Sequence, residues 1–87
     1  MTNAIGTITE IYQPITTPKG TPIQEISLLK NDQTTIYLQA HRHLDILNDI
    51  EVNDEVLVSY ETFGKEIKKE SSIIHFNTLV IKKINKL

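Results

Sequence analysis

The chain has 87 residues and no cysteine, with 39% hydrophobic and 23% charged residues. These values are typical of one compact globular domain over residues 1–87, and they exclude a disordered chain, a disulfide framework and a thiolate metal site. No apolar run approaches the roughly 20 residues that span a bilayer, and the first residues lack the features of a secretory signal. We therefore expect a cytoplasmic protein with no membrane partner.

Charge is distributed unevenly along the chain. Residues 1–61 contain three basic residues against nine acidic ones, whereas residues 62–87 contain six lysines against two glutamates. A polyanion would therefore prefer the surface built by the C-terminal third. Lysines on a long edge strand also discourage edge-to-edge aggregation, so a purely protective role for these lysines stays open.

The first strand is predicted at residues 4–12, which are rich in isoleucine and threonine. Gly6 lies inside this segment, and a glycine within a strand often marks a bulge or a sharp bend. Residues 13–21 contain two prolines and a glycine without hydrophobic periodicity. This segment is therefore predicted to form a loop, which is long for so small a domain.

The next segments predict a hairpin and a short helix. Residues 23–30 and 34–40 have the composition of strands and are separated by an Asn-Asp-Gln turn signal. At residues 43–50, leucine and isoleucine recur three and four positions apart. That spacing predicts a helix of about two turns.

The last two strands are predicted at residues 54–61 and 71–84. Apolar and polar residues alternate along the first of them, and Asn53 just before it can adopt the left-handed conformation of a turn. Residues 62–70 are polar and charged around a glycine, so they are predicted to form the loop between the two strands.

The resulting order of elements is β-β-β-α-β-β, with a helix too short for a parallel crossover. Antiparallel strands with one small helix between the third and fourth match the OB fold, a five-stranded, partly open Greek-key barrel. We therefore expect an all-β OB-fold barrel. In such barrels the outer face of strands 2 and 3, together with the loops joining strands 1–2 and 4–5, forms a ligand groove.

A groove for single-stranded nucleic acid needs flat side chains that stack on bases and cations that contact phosphates. If alternate residues of the third strand face the core, Tyr37 and Gln39 face outward, where they can stack on a base and form hydrogen bonds. Each candidate also has a purely structural interpretation, as rim packing or as solvated charge. The remaining candidates lie in the two loops and at the end of the second strand: Lys19, Lys30, Phe63, Lys65, Lys68 and Lys69.

Residues that would carry catalysis or bind a metal are sparse. His41 and His43 lie two positions apart, but a metal site needs a third ligand that nothing in the sequence places nearby. The chain contains no glycine-rich phosphate-binding motif and no nucleophile elbow. We therefore predict no enzymatic activity, no cofactor, no metal and no small-molecule substrate.

Four segments carry a resemblance to a known family. They are Gly-Thr-Ile at 6–8, Lys-Gly-Thr-Pro-Ile-Gln-Glu-Ile at 19–26, Val-Asn-Asp-Glu-Val-Leu-Val-Ser-Tyr at 52–60 and Ile-His-Phe-Asn-Thr-Leu at 74–79. Together they resemble a small family of uncharacterised bacterial and phage OB-fold proteins, best known from Bacteroidetes and similar to single-stranded DNA-binding proteins. The resemblance implies a non-catalytic module that binds single-stranded DNA.

Two functions from different classes therefore stay open at this stage. The first is binding of single-stranded nucleic acid, with DNA favoured and the lysines named above contacting phosphates. The alternative is protein–protein interaction or self-association, in which an exposed strand pairs with a partner or a second copy. Acidic residues outnumber basic ones and aromatic residues are only 6%, so a lone domain should bind nucleic acid weakly. Homo-oligomerisation would strengthen the binding.

Overall fold

The computed structural model describes the backbone of residues 1–69 and 72–87 and the side chains of residues 1–64 and 77–87. No helix within these ranges is long and apolar enough to cross a membrane. The described elements are, in chain order, β1 (Thr2–Ile11), β2 (Ile15–Thr16), β3 (Pro22–Lys30), β4 (Thr35–His41), a 3-10 turn (Leu44–Leu47), β5 (Glu55–Lys69) and β6 (Ser72–Lys86).

The strands form one sheet that closes on itself. Its order is β1-β5-β6-β4-β3-β2, and β1 also pairs with β3, so five strands form a ring with the short β2 at its edge. β4 and β6 run parallel where Gln39 meets Val80, and the other described pairs are antiparallel. This closed arrangement is the OB fold that the order of predicted strands indicated.

Alternate residues of the barrel strands point into a common core. Leu38 and Ala40 of β4 are fully buried, whereas Tyr37 of the same strand is 54% exposed. The strand predicted third in the chain, at residues 34–40, is β4 of the structure. Its predicted alternation is confirmed, and Tyr37 and Gln39 lie on its outer face. The largest fully buried side chains are Ile8, Ile26, Leu28, Leu38, Val56 and Val58.

β1 changes its neighbour along its length. Its first half lies against β5 and its second half against β3, and Gly6 is paired in both ladders. The bulge falls between Ile8 and Glu10, and not at the glycine that the sequence suggested for it. Gly6 is instead required by a close approach, because a Cβ there would collide with the backbone carbonyl oxygen of Leu29.

Gly6→Ala is therefore expected to destabilise the barrel by about 3 kcal/mol, near the top of the usual range for overpacked sites, because the obstructing atoms belong to the β3 backbone. Gly64→Ala is the matched control, since its Cβ would meet Asn77 Oδ1 at 3.5 Å, an ordinary contact. Urea unfolding of both variants measures the difference. Equal unfolding midpoints for the two variants would contradict the steric interpretation.

The predicted helix at residues 43–50 is instead a single 3-10 turn, Leu44–Leu47. The spacing that predicted the helix also suits this turn, because a helix with three residues per turn places positions 44, 47 and 50 on one face. Leu47 and Ile50 are buried, and both belong to the barrel core. The helix prediction was therefore wrong in type and length.

The loop predicted at residues 62–70 is strand as far as the structure describes it. β5 continues to Lys69, and beyond Tyr60 it pairs with β6 alone. Thr62, Phe63 and Gly64 are all exposed at the start of this two-stranded segment. Because neither face is buried there, the sequence lacks the alternation of apolar and polar residues that identifies a half-buried strand. We call the paired residues 62–69 and 72–79 the β5–β6 arm.

Candidate functional site

The outer face of β3 and β4 carries aromatic and polar side chains. Residues directly opposite each other in an antiparallel pair share a face, so Tyr37 lies next to Ser27 and diagonal to Glu25. Tyr37 is the most exposed large side chain along β4, which makes its ring accessible at the middle of the face. The pairs on this face are Leu29–Thr35, Ser27–Tyr37, Glu25–Gln39 and Ile23–His41.

Three polar side chains on this face are connected by hydrogen bonds. His41 Nε2 lies 2.8 Å from Gln39 Oε1, and Gln39 Nε2 donates to Glu25 Oε2 at 3.4 Å. Because an amide carbonyl oxygen can only accept, His41 Nε2 carries the proton in this contact. The two hydrogen bonds fix the orientation of the Gln39 amide and hold the Glu25 carboxylate against the face.

Tyr12 reaches the same face from the end of β1. Partial desolvation and then the nearby Glu10 carboxylate raise the pKa of Tyr12, and the Ser27 and Tyr37 side chains also lie close enough to act on it. The bulge explains this position, because one extra residue in β1 turns the following side chains to the opposite face. Apolar residues occupy both alternations of β1, so its sequence alone does not show which way Tyr12 faces.

A groove of about 780 Å³ lies between the turn that follows β4 and the base of the β5–β6 arm. None of the described residues that line this groove is acidic, whereas four are histidine, arginine or lysine. The groove therefore offers apolar surface and positive charge together. Its lining consists of His41, Arg42, His43, Ile46, Phe63, Gly64, Thr78, Val80, Ile81 and Lys82.

Phe63 of the arm and Lys82, three residues beyond it in β6, lie next to each other in the groove. Lys82 Nζ lies 5.7 Å from the centre of the Phe63 ring, within the range of a cation–π contact. Phe63 is 50% exposed, so much of its surface is accessible from the groove. Lys82 also lies 4.0 Å from Glu61 Oε2, and an exposed ion pair at this distance contributes little to stability.

Arg42, which also lines the groove, occupies a strained turn. Its φ is 67°, and the His43 amide donates to the His41 carbonyl oxygen at 2.7 Å across it. This arrangement has the hydrogen bond and the φ of a rare type of γ-turn, and such strain costs about 1–3 kcal/mol. The Arg42 amide also donates to the Pro22 carbonyl oxygen at 2.9 Å, so β3 holds the strained turn in place.

The electrostatic environment of His41 reflects the cations around it. Partial burial, and then the charges of Lys82 and Arg42, lower the pKa of His41 below its ordinary value. His41 is therefore mostly neutral at pH 7, where it donates a hydrogen bond rather than contributing charge. Within the described ranges, no third ligand joins the two histidines to form a metal site.

The structure brings three of the sequence-predicted residues to one side of the barrel. Tyr37 and Gln39 lie on the outer face of β4, and Phe63 lies in the groove that His41 connects to that face. Lys19 is exposed in the turn just before Pro22, at the barrel end where the Arg42 turn contacts β3.

The other predicted lysines lie elsewhere or beyond the described side chains. Lys30 lies at the opposite end of β3 from the groove, and its Nζ is 3.7 Å from Asp32 Oδ2. Lys65, Lys68 and Lys69 belong to the β5 part of the arm, and their side chains lie outside the described residues.

The barrel is similar to solved structures of single-stranded DNA-binding proteins. Two crystal structures of the mitochondrial single-stranded DNA-binding protein Rim1 from S. cerevisiae match with TM-scores of 0.71 and 0.67, at 14% and 16% identity. These matches cover 99% of this chain and 90% and 92% of the Rim1 chains.

The small single-stranded DNA-binding protein from Streptomyces coelicolor matches with a TM-score of 0.52 at 13% identity, over 98% of this chain and 91% of that one. At such identities the likeness shows a shared fold. No protein-family model matches the chain, and neither does any curated protein.

Proposed function

We propose that this protein binds single-stranded DNA along the outer face of β3 and β4 and through the adjacent groove. The observation that carries the proposal is the continuity of these two surfaces. Tyr37, Gln39 and His41 follow one another on the same side of β4, and His41 also lines the groove with Phe63 and Lys82. Exposed rings and cations in one track are the two features that single-stranded nucleic acid requires.

The distribution of charge indicates how the DNA lies in this track. Glu25 belongs to the outer face of β3, and Glu10 lies beside Tyr12, so phosphates are disfavoured there. The described lining of the groove has cations and no carboxylate. The phosphates would therefore follow Arg42 and Lys82, with the bases turned toward the exposed rings.

Further support for DNA binding comes from the similarity of the fold to known single-stranded DNA-binding proteins and from the remaining lysines. The structural neighbours are described as single-stranded DNA-binding proteins, and the sequence resemblance to the bacterial and phage family supports the same proposal. Lys19, Lys65, Lys68 and Lys69 would contact phosphates on either side of the groove. Lys30 would do so only if the bound strand continued to the far end of β3. The proposal is of one non-catalytic, cytoplasmic OB-fold domain.

Fluorescence anisotropy with a labelled oligo-dT of about 30 nucleotides tests this function, because one OB fold occupies roughly 4–16 nucleotides. We expect saturable binding in the micromolar range or weaker, with log K falling linearly with log salt by about 0.7 for each phosphate contacted. A duplex of equal length serves as the control and should bind less tightly. No binding of the single strand at high micromolar protein in low salt would overturn the proposal.

Protein contact or self-association is the alternative function, and one observation favours it. On the opposite side of the barrel Ile5 is 45% exposed and pairs with Leu57, which gives a small apolar surface. Association through such a surface would respond little to salt, whereas phosphate binding weakens as salt rises. Light scattering at low and high salt, with and without DNA, distinguishes the two functions.

A further inference from the structure

We propose that the site selects among bases, and that Glu25 and Gln39 together favour guanine at the position stacked on Tyr37. This inference rests on the proposed function and adds a base preference to it. The Glu25–Gln39 pair and the Ser27–Tyr37 pair are neighbours on the same face of the β3–β4 ladder. Diagonal neighbours in such a ladder lie about 7–8 Å apart, so the edge of a base stacked on the ring reaches Glu25.

The two side chains are held in place before any ligand binds. Glu25 is half-buried, and its Oε2 accepts the hydrogen bond from Gln39 Nε2 at 3.4 Å. The oxygen of the same amide accepts from His41 at 2.8 Å. Because both ends of the amide are engaged, its nitrogen is directed toward Glu25, and one of its two hydrogens is left for a ligand.

Glu25 and Gln39 together offer a ligand two hydrogen-bond acceptors, the carboxylate oxygens, followed by one donor, the amide nitrogen. A carboxylate only accepts hydrogen bonds, and its two oxygens can receive two parallel N–H groups. Guanine presents an amino N2–H, a ring N1–H and the O6 oxygen in that order along one edge. The carboxylate of Glu25 can accept from the first two, and the free hydrogen of Gln39 Nε2 can donate to the third.

The other bases match this pattern less well. Thymine and uracil place one N–H between two carbonyl oxygens, and a carboxylate repels those oxygens. Cytosine offers its amino group to a carboxylate but has two acceptors beside it. Ser27 does not compensate, because its Oγ is already 2.6 Å from Thr9 Oγ1. Guanine therefore matches the described face better than thymine, uracil or cytosine does.

Anisotropy titrations with four strands of equal length test the inference: all-thymine DNA, and strands in which alternate thymines are replaced by guanine, inosine or cytosine. Inosine keeps N1–H and O6 but lacks the amino group. We expect the guanine strand to bind about tenfold more tightly than the all-thymine strand, with the inosine strand intermediate, as for one bidentate contact.

Glu25→Gln should abolish the guanine preference, so that the thymine and guanine strands bind with similar affinity, because an amide has only one oxygen and cannot receive two parallel N–H groups. Glu10→Gln is the matched control, since it removes the same charge beside Tyr12 and should leave the preference unchanged. A preference that persists in Glu25→Gln, or equal wild-type affinity for the thymine and guanine strands, would overturn the base selection. Failure of every strand to bind would instead overturn the proposed function.

Discussion

Tyr37→Ala is expected to weaken binding of oligo-dT by about 5- to 150-fold, because loss of a stacked ring costs about 1–3 kcal/mol per base. Tyr37→Phe should retain most of the affinity, since it keeps the ring and removes only the hydroxyl group. The ring is 54% exposed and lies outside the buried core. Removing it should therefore change the free energy of unfolding by no more than about 0.5 kcal/mol, as at most surface positions.

Anisotropy titrations of the two Tyr37 variants, together with thermal unfolding, separate loss of contact from loss of fold. Unchanged affinity in Tyr37→Ala would remove Tyr37 from the binding surface. Equal losses in Tyr37→Phe and Tyr37→Ala would show that the hydroxyl group, and not ring stacking, makes the contact.

The double variant Arg42→Gln/Lys82→Gln is expected to lower the affinity for oligo-dT about tenfold or more at low salt. It should also reduce the salt slope by about 1.4, since each phosphate contact with a single strand contributes about 0.7. Both side chains line the groove, and both act on the pKa of His41. Neither residue belongs to the barrel core, so the fold should be preserved.

The control for this prediction is Lys83→Gln/Lys86→Gln, which removes the same amount of charge at two positions outside the groove. Neither residue lines the groove. Lys83 lies opposite Ser59 in the ladder, and Lys86 Nζ lies 3.4 Å from Asp54 Oδ2. We expect this control to bind with nearly unchanged affinity. Equal losses in the two double variants would mean that net charge, rather than the groove, determines the affinity.

The barrel could be predicted from the sequence because burial imposes a period of two on its strands. Leu38 and Ala40 in β4, and Val56 and Val58 in β5, are buried as their alternation indicates. The β5–β6 arm lacks this signal where its side chains are described, because Phe63 and its neighbours are exposed. The 3-10 turn was mistaken for an α-helix because a spacing of three fits both.

The candidate site was less predictable because its parts meet through tertiary contacts. Tyr37 and Gln39 follow from alternation within one strand. The position of Tyr12 depends on a bulge between Ile8 and Glu10, which no residue type in β1 predicts. Lys82 lies beside His41 because β4 and β6 run parallel at Gln39, a pairing between segments about 40 residues apart that the sequence pattern does not encode.

The net charge of −2 limits how strongly one barrel can hold a polyanion. Self-association would place several grooves on one strand and raise the apparent affinity without any new contact. The apolar pair of Ile5 and Leu57 lies on the side of the barrel away from the groove, so a second copy there would leave the proposed DNA track open. Binding and self-association are therefore compatible in this molecule.

The binding surface itself can be mapped by NMR, with 15N-labelled protein titrated with unlabelled oligo-dT at low salt. We expect the largest changes in backbone amide shifts at residues 37–43, Phe63 and Lys82, with the amides of Ile5 and Leu57 unaffected. Changes confined to the side of Ile5 and Leu57, with β4 and the groove unperturbed, would contradict the proposed DNA track.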